Sequence, residues 1–524
     1  MTRLPDPIRL EVFHQLLAAI CDESGALLRR CAASPNIRER LDFSCALYDG
    51  AGRLVSQAEH IPVHLGSAAD SVAAARAASR LQPGDVVVLN DPYAGGTHLP
   101  DVTMVRPIFL RRRRLPEFFA VNRAHHADIG GGTPGSMGVA HDLFAEGLVI
   151  PPVKLRAAGK RVGDVVRLLL ANVRGARERA IDLEAQEAAL ACAERRLRAM
   201  VDDFGLATVQ AYSGHLMDYT ERLLVSRLRT MPRGRYRAEE WLESDGTGGG
   251  PFRLTLDLDL RGDTIEFDFR RCAPQARGGI NCNRSVVLAA CAYVVRALLP
   301  SRLPTNDGLY RRLRVHTRPG TLLEPRAPAP VAGGNVETSQ RLVDLVLRAL
   351  SRALPGRIPA ASAGTMTNLA VGGRDAGGED FSFYETLPGG GGATATAGGT
   401  SGVQTHMTNT RNTPIEDFEA RYPLRVESLT LRRGSGGRGA RRGGDGVVKR
   451  LRALTDGVSV SLFAERHVRR PWGLAGGGDG AAASAHVERR GVRVPLPAKG
   501  SVVLAAGDAV EVETPGGGGY GRHR

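Results

Sequence analysis

The strictest pattern in the sequence is the alternation of apolar and polar residues over 252–269, "FRLTLDLDLRGDTIEFDF". Leucine occupies every second position from Leu254 to Leu260, a turn follows at Gly262, and the alternation resumes at Ile265. A period of two residues places alternate side chains on opposite faces of a strand, so this segment predicts a β-hairpin with one apolar face. The opposite face carries acidic residues, which is typical of a sheet face that contacts solvent.

Helical and strand patterns share the rest of the chain. Apolar residues at helical spacing predict helices over residues 8–33, 67–80, 182–231, 284–299 and 338–353. Short apolar runs predict a hairpin around Asp49-Gly50, a strand over residues 85–90 and a second hairpin over residues 105–122. Glycine dominates after residue 360, but apolar residues are interspersed with it. We therefore expect loops between short strands there, and not flexible linkers.

The chain has 524 residues, which is too long for one ordinary core. We predict a multi-domain α+β fold with a mixed α/β N-terminal half and a β-rich, glycine-rich C-terminal end. The predicted regions are an N-terminal α+β region at 1–181, a helical segment at 182–245, a central α+β region at 246–430 and a C-terminal β-rich region at 431–524.

The formal net charge of +15 comes almost wholly from arginine, because the chain has only the lysines 154, 160, 449 and 499. The densest arginine runs, 111–114 and 432–442, have no aromatic residues interleaved with them. A single-stranded nucleic acid needs such stacking platforms, so we do not expect nucleic-acid binding.

Neither a signal peptide nor a membrane span is indicated by the sequence. The first residues lack a basic start followed by an apolar core, and no apolar run approaches the roughly 20 residues that cross a bilayer. The seven cysteines include no CxxC pair. We therefore expect a cytoplasmic protein with reduced thiols and no membrane partner.

Several common catalytic motifs are missing from the sequence. It has no GxxxxGK[ST] phosphate loop and no GxSxG nucleophile elbow. Gly434, Gly436 and Gly439 spell GxGxxG, but "ARRGGDG" follows where a dinucleotide-binding helix would start. His60 and His64 have helical spacing, but Pro62 between them prevents the helix of a zincin. A structural or substrate-facing role is the prediction for that histidine pair.

The positive signal comes from two glycine-rich loops beside neighbouring predicted strands. The stretch "LNDPYAGGTHLPDVTMV" offers His98 and Asp101, and "VNRAHHADIGGG" offers His125, His126 and Asp128. Two imidazoles and a carboxylate with open positions suit Mn, Fe or Zn in a hydrolytic site. Adjacent strand residues face opposite sides, so we expect only one of the two neighbouring histidines to face the site. The alternative is a set of hydrogen-bonded turn residues, and spacing alone does not separate the two.

These stretches resemble the hydantoinase B family, which includes N-methylhydantoinase B subunits, the C-terminal half of 5-oxoprolinases and the metal-carrying subunit of acetone carboxylases. The resemblance runs through "SPNIRERLDFSCALYDGAGRLVSQAEHIPVHLGS", the two loops above, "GGNVETSQRLVD", "HMTNTRNTPIEDFEARYPLRV", "PWGLAGG" and "ETPGGGGYG". It implies a divalent transition metal held by an HxxD pair, which maps onto His98 and Asp101. A later histidine of the family set maps onto His125 or His126.

The resemblance also implies a division of labour that accounts for the missing phosphate loop. ATP would bind to a hydantoinase A-type partner, which would phosphorylate the amide oxygen of a cyclic amide, and this chain would open the activated ring within a hetero-oligomer. Asp128 is the candidate general base, with orientation of a ligating histidine as the alternative role. The candidate substrate-binding positions, which would supply donors to an oxyanion or phosphate, are Asn90, Gly95, Gly96, Gly130 and Gly131.

Three functions follow from the resemblance. The first is the hydrolytic B-type component of an ATP-dependent amidohydrolase acting on a hydantoin or a 5-oxoproline-like lactam. The second is the metal-carrying component of an acetone or ketone carboxylase-like complex, although the chain is shorter than that component. The third is a non-catalytic partner that stabilises an A-type ATPase, which would have no need for the metal loops.

Overall fold

The structure is a computed structural model. It describes residues 5–58, 61–64, 66–111, 114–300, 303–375 and 377–523. His60 of the histidine pair and residues 112–113 of the first arginine run lie outside the described residues.

The N-terminal half is built on an antiparallel sheet in the order β2-β1-β5-β4-β3-β6-β7. Its strands are β1 (Phe43–Asp49), β2 (Leu54–Gln57), β3 (Val86–Leu89), β4 (Asp101–Ile108), β5 (Phe118–His125), β6 (Val153–Ala157) and β7 (Lys160–Arg161). Every residue of β3 and of β5 is buried. The antiparallel pairs β1–β2 and β4–β5 confirm both predicted hairpins, and β3 confirms the predicted strand at 85–90.

Helices cover this sheet. They are α1 (Pro7–Cys31), α2 (Pro35–Arg38), α3 (Ala68–Ala78), α4 (Leu143–Glu146), α5 (Gly163–Ala171), α6 (Ala176–Phe204) and α7 (Leu206–Arg229). The Asp6 carboxylate accepts a hydrogen bond from Ile8 N at 3.0 Å and caps the first of them. The helical segment predicted over 182–231 is confirmed and consists of two helices, because Gly205 adopts φ 80° and interrupts the helical backbone.

The central region contains the sheet that the leucine alternation predicts. Its strands, in the order β11-β10-β9-β8, are β8 (Gly234–Leu242), β9 (Phe252–Leu260), β10 (Ile265–Asp268) and β11 (Leu313–His316). Ile265 pairs with Leu260 across the turn, which confirms the predicted hairpin. The leucine face packs in one buried core with α8 (Arg284–Ala297) and α9 (Ser339–Ala353).

Two further sheets form the C-terminal end, in the orders β13-β12-β16-β19 and β14-β15-β20-β17-β18. The elements are β12 (Asn368–Arg374), β13 (Asp380–Thr386), α10 (Ile415–Arg421), β14 (Leu424–Arg432), β15 (Gly446–Ala453), β16 (Val458–Phe463), β17 (Ser484–Arg489), β18 (Val492–Pro495), β19 (Lys499–Leu504) and β20 (Ala509–Glu513). The predicted α+β class with a β-rich C-terminal end is confirmed. The four predicted region boundaries stay predictions, and the first of these two sheets contains strands from both sides of residue 430.

The glycine-rich segments pack against one another through their backbones. Gly517 N donates to Gly444 O at 2.9 Å, and Gly444 N donates to Gly391 O at 2.9 Å. A Cβ on Gly444 would lie 1.9 Å from Thr400 O, so only glycine fits at that position. Within the described ranges, no helix combines the length and the apolar character that crossing a bilayer requires.

Candidate metal centre

The first two polar residues of the site are neighbours in the N-terminal sheet. Asp101 is the first residue of β4, His125 is the last residue of β5, and the two are directly paired across the ladder. Directly opposed residues of an antiparallel pair point to the same face, so the carboxylate and the imidazole lie side by side. His98 approaches from the turn between β3 and β4, three residues before Asp101.

These three residues form a compact, buried triad. One ligand atom from each of His98, Asp101 and His125 lies within 4.8 Å of the others. His98 Nε2 is 3.2 Å and His125 Nδ1 is 3.4 Å from Asp101 Oδ1. The exposed fractions of the three residues are 0%, 1% and 3%. Both histidines therefore converge on the same carboxylate oxygen.

The second carboxylate oxygen of Asp101 is held by one residue of the same turn and by two residues from distant segments. Thr97 Oγ1 donates to Oδ2 at 2.9 Å, Asn335 Nδ2 donates to it at 3.3 Å, and His64 Nε2 lies 3.2 Å away. His64 belongs to the 3-10 turn Pro62–His64, and its Nδ1 is 3.0 Å from Ser44 Oγ. These contacts fix the orientation of the carboxylate and leave Oδ1 facing the histidines.

The protonation and hydrogen bonding of the triad fit a divalent transition metal. His98 Nδ1 contacts Ala332 O at 3.3 Å, which favours the tautomer whose Nε2 carries a lone pair. Neither His98 Nε2 nor His125 Nε2 has a hydrogen-bond partner among the described residues, although both are buried. Buried polar atoms are almost always satisfied, so His98 Nε2, which lies beside the carboxylate, has the character of a ligand atom, whereas His125 faces the carboxylate through Nδ1. Two nitrogens and one oxygen leave further coordination positions open.

The charges within the site keep Asp101 ionised. Burial opposes ionisation, but the His98 and His64 imidazoles beside the carboxylate hold the pKa of Asp101 well below its usual range. Burial also lowers the pKa of His125, which favours the neutral imidazole that binds metals. Burial opposes the charged form of His98 as well, but the Asp101 carboxylate outweighs it and raises the pKa of His98.

His126 does not join the triad. Its Nε2 lies 2.9 Å from Gln186 Oε1, and Gln186 belongs to α6. Burial lowers the pKa of His126 to about 4. Of the two neighbouring histidines, the structure thus brings His125 to Asp101 and directs His126 to the helix.

The predicted general base, Asp128, organises the turn that follows β5. Its buried carboxylate accepts hydrogen bonds from Gly130 N at 2.8 Å, Gly135 N at 3.1 Å, Arg174 N at 3.0 Å and Arg174 Nη1 at 3.1 Å. These four hydrogen bonds engage both oxygens of the carboxylate. The catalytic role of Asp128 stays a prediction, and these contacts favour a structural role instead.

The predicted substrate-binding positions are occupied by contacts within the chain. Asn90 Nδ2 donates to Leu99 O at 2.8 Å and Leu148 O at 2.9 Å, and its Oδ1 accepts from Ile150 N at 2.6 Å. A Cβ at Gly95, Gly96, Gly130 or Gly131 would lie within 2.7 Å of backbone atoms of other segments. Close backbone packing therefore requires these glycines, and their role as donors to a substrate stays a prediction.

Sequence reasoning did not assign the residues that surround the triad from the C-terminal half. The ring of Tyr384 stacks on His125 at a centroid distance of 4.6 Å and an angle of 17°. Tyr384 OH donates to Asn368 Oδ1 at 2.7 Å, and Asn368 Nδ2 donates to Glu337 Oε1 at 2.8 Å. Burial raises the pKa of Glu337 to about 7, and its Oε2 has no partner among the described residues.

A short π-helical turn, Gly334–Thr338, supplies two of these surrounding residues, Asn335 and Glu337. Such turns occur frequently at functional sites. The turn lies within "GGNVETSQRLVD", one of the segments that carries the family resemblance. This resemblance is the sequence feature that could have pointed to Asn335 and Glu337. Spacing in the sequence could not predict that this turn contacts the loop of His98, because more than 230 residues separate the turn from the loop.

The similarity to known proteins extends over almost the whole chain. The family model described as hydantoinase B/oxoprolinase matches residues 6–523. An uncharacterized protein of Methanocaldococcus jannaschii is 38% identical over 98% of this chain and 91% of its own length. The 5-oxoprolinase 1 of Arabidopsis thaliana is 36% identical over 98% of this chain, which spans only 42% of that longer protein. A Pseudomonas sp. protein provisionally named as the B component of a D-/L-hydantoinase is 31% identical over 98% of this chain and 90% of its own length.

Two solved structures share the fold. The ATP-dependent caprolactamase from Pseudomonas jessenii has a TM-score of 0.92 and 29% identity, with 99% of this chain and 92% of that chain covered. The nucleotide-free acetone carboxylase also has a TM-score of 0.92, with 98% of this chain and 76% of that chain covered. At 19% identity, the second likeness concerns the fold alone.

Proposed function

Because the chain belongs to the hydantoinase B/oxoprolinase family, we propose that it is the hydrolytic B-type component of an ATP-dependent, ring-opening amidohydrolase. Its substrate would be a hydantoin or a 5-oxoproline-like lactam. An A-type ATP-binding partner would phosphorylate that substrate before this chain acts on it. The observation that carries the proposal is the buried triad of His98, Asp101 and His125 in a chain of this family.

The similarity to named relatives supports a B-type role for this chain. The chain covers 90% of the Pseudomonas protein named as a hydantoinase component, but 42% of the Arabidopsis 5-oxoprolinase. The likeness to a caprolactamase supports a cyclic amide as the substrate class. The proposal assigns ATP binding to a partner, in line with the Pseudomonas relative that is named as one component of a hydantoinase.

The chemistry explains why two chains would share the reaction. Resonance makes a planar amide a poor electrophile, and phosphorylation of its oxygen by ATP makes the ring carbon reactive. Addition of water to that carbon and cleavage of the C–N bond leave an acyl phosphate. A second water then releases phosphate and a free carboxylate. The site on this chain would bind and orient the activated ring and the water.

The residues of this chain have definite roles in that scheme. His98, Asp101 and His125 would hold a divalent transition metal such as Mn, Fe or Zn, which when bound supplies Lewis-acid polarisation of a carbonyl or a water. Thr97, Asn335 and His64 orient the Asp101 carboxylate. The deep burial of the triad excludes bulk water from the reacting groups and strengthens electrostatic interactions there.

The two other functions are less well supported by these observations. The carboxylase alternative rests on a relative of 19% identity, which bears on the fold alone. A purely structural partner would not require two buried imidazoles that converge on one carboxylate oxygen. Neither alternative has an observation of its own in its favour.

The metal is tested by its content in the purified chain, measured by plasma mass spectrometry with and without the A-type partner. We expect a near-stoichiometric transition metal that His98→Ala and Asp101→Ala lose. His141→Ala is the matched control, because this exposed histidine lies outside the triad. A well-folded complex without a transition metal would contradict the assignment of the triad as a metal site.

The reaction is tested by mixing this chain with an A-type partner from the same genome and ATP. ATP turnover and ring-opened product would be measured with 5-oxoproline, hydantoin, caprolactam, and acetone plus bicarbonate. We expect activity with at least one cyclic amide and its loss in His98→Ala. Turnover with acetone plus bicarbonate alone would favour the carboxylase function, and full activity of His98→Ala would favour a structural role.

A further inference from the structure

A second polar site lies where strand β8, helix α9 and the loop after β16 meet. It is a cavity of about 660 Å³, and no member of the metal triad lines it. We call it the tryptophan–arginine cleft. Its arginine and tryptophan lining residues are Arg237, Arg348, Arg352, Arg466, Arg469, Arg470, Trp241 and Trp472. From these groups we propose that the cleft binds a small molecule in which phosphate groups are joined to a flat ring.

The floor of the cleft is a buried and ordered charged layer. Arg466 is 1% exposed, and its guanidinium donates to Asp344 Oδ2 at 2.6 Å and to Arg470 O at 3.1 Å. Glu240 Oε1 accepts from Trp472 Nε1 at 2.7 Å and from Arg348 Nη1 at 3.0 Å. These contacts fix the positions of Arg466, Arg348 and Trp472 at the cavity.

The rim of the cleft carries positive charge that the protein does not neutralise. Within the described part of the chain, no carboxylate oxygen lies within 4.0 Å of the guanidinium groups of Arg352, Arg469 or Arg470. All three side chains are exposed. Glu239, Glu240 and Asp479 also line the cavity, so its six arginines exceed its carboxylates by three, and this excess of positive charge favours an anion. Guanidinium groups match the oxygens of phosphate through paired hydrogen bonds.

The two indoles supply flat surfaces beside these cations. Arg348 lies over Trp472 at 5.6 Å, and Arg469 lies over Trp241 at 5.0 Å. Both tryptophans are only partly buried. A half-exposed indole offers a stacking surface for a planar ring, and the cavity volume is that of a small-molecule site. Charge and flat surface together indicate an anion with an aromatic part.

The sequence makes this proposal easy to test, because Trp241 and Trp472 are the only tryptophans of the chain. Intrinsic tryptophan fluorescence therefore reports on the cleft alone. The full-length chain would be titrated with ADP, with pyrophosphate and with adenosine. We expect a saturable change with ADP, a weaker one with pyrophosphate, and none with adenosine at the same concentrations.

The variant is the double substitution Arg469→Gln/Arg470→Gln, which removes two exposed charges from the rim. We expect it to weaken the Kd for ADP by at least about tenfold, since charge-assisted hydrogen bonds are lost. Arg425→Gln/Arg433→Gln removes the same charge from exposed positions outside the cleft and should leave the Kd unchanged.

Three results would overturn the proposal. A chain whose fluorescence responds to neither ADP nor pyrophosphate has no phosphate site in the cleft. Equal weakening by both double variants would mean that net charge, and not the cleft, attracts the anion. Pyrophosphate that binds as tightly as ADP would overturn the part of the proposal that concerns the flat ring.

Discussion

His64 Nε2 lies 3.2 Å from Asp101 Oδ2, while His98 Nε2 lies at the same distance from Asp101 Oδ1. One carboxylate thus separates an inner histidine, which belongs to the triad, from an outer histidine that orients it. The outer histidine is in turn anchored by Ser44 Oγ. Such outer contacts commonly govern how tightly a metal is held.

Replacing the outer histidine tests this arrangement. We expect His64→Ala to weaken metal binding by about 10–100-fold without removing a ligand, because Asp101 loses an orienting contact. Competition with a chelator, followed by metal analysis, measures the affinity. His141→Ala serves again as the exposed control. An affinity unchanged from wild type would show that Thr97 and Asn335 orient the carboxylate without His64.

Two substitutions at Tyr384 separate its ring from its hydroxyl. Tyr384→Phe keeps the ring stacked on His125 but leaves the buried Asn368 Oδ1 without its donor, so stability should fall by about 1–3 kcal/mol while metal affinity is kept. Tyr384→Leu also removes the stacking and should weaken metal binding. Denaturant unfolding and chelator competition measure the two effects. Equal metal affinities in Phe and Leu variants would contradict a role for the ring in holding His125.

The buried Glu337 predicts a pH dependence of stability. Its pKa is raised by burial to about 7 in the folded chain, above the ordinary value of 4.5. The folded state therefore binds the proton more tightly, and this contribution to stability is complete below pH 4.5 and lost as the pH rises through 7. Its size is on the order of 3 kcal/mol. Glu337→Gln should remove this part of the pH dependence.

Unfolding in denaturant at about pH 5 and about pH 8, on either side of the raised pKa, measures this effect for wild type and Glu337→Gln. The exposed Glu379 provides the control, because Glu379→Gln should leave the pH dependence as it is in the wild type. If wild type and Glu337→Gln lost the same stability between the two pH values, Glu337 would not be the group responsible.

Gly96 tests whether the glycine loop serves backbone packing. A Cβ there would lie 2.2 Å from Asn90 O, so Gly96→Ala should destabilise the fold by about 1–3 kcal/mol. Gly163 at the start of α5 has no atom within 4 Å of an added Cβ, and Gly163→Ala should have little effect. Comparison of their unfolding midpoints measures the difference. If the Gly96→Ala chain had normal stability but lost activity, the result would support the predicted role of Gly96 in substrate binding.

Local patterns in the sequence were enough to predict the features that depend on neighbouring residues. The leucine alternation predicted the hairpin of β9 and β10, because a period of two residues has one structural meaning. His98 and Asp101 could be paired from the family resemblance, because its HxxD pair maps onto these two positions of one turn. The sequence also predicted that only one of His125 and His126 would reach the site, since adjacent strand residues face opposite sides.

The packing of distant segments settles which histidine that is and what surrounds it. The pairing of Asp101 with His125 across β4 and β5 directs His125 to the triad, and α6 receives His126 through Gln186. His64, Asn335 and Tyr384 come from three distant segments, and their approach depends on how sheets and helices pack. Long-range packing leaves no periodic trace in the sequence, which is why these residues could be assigned only from the fold.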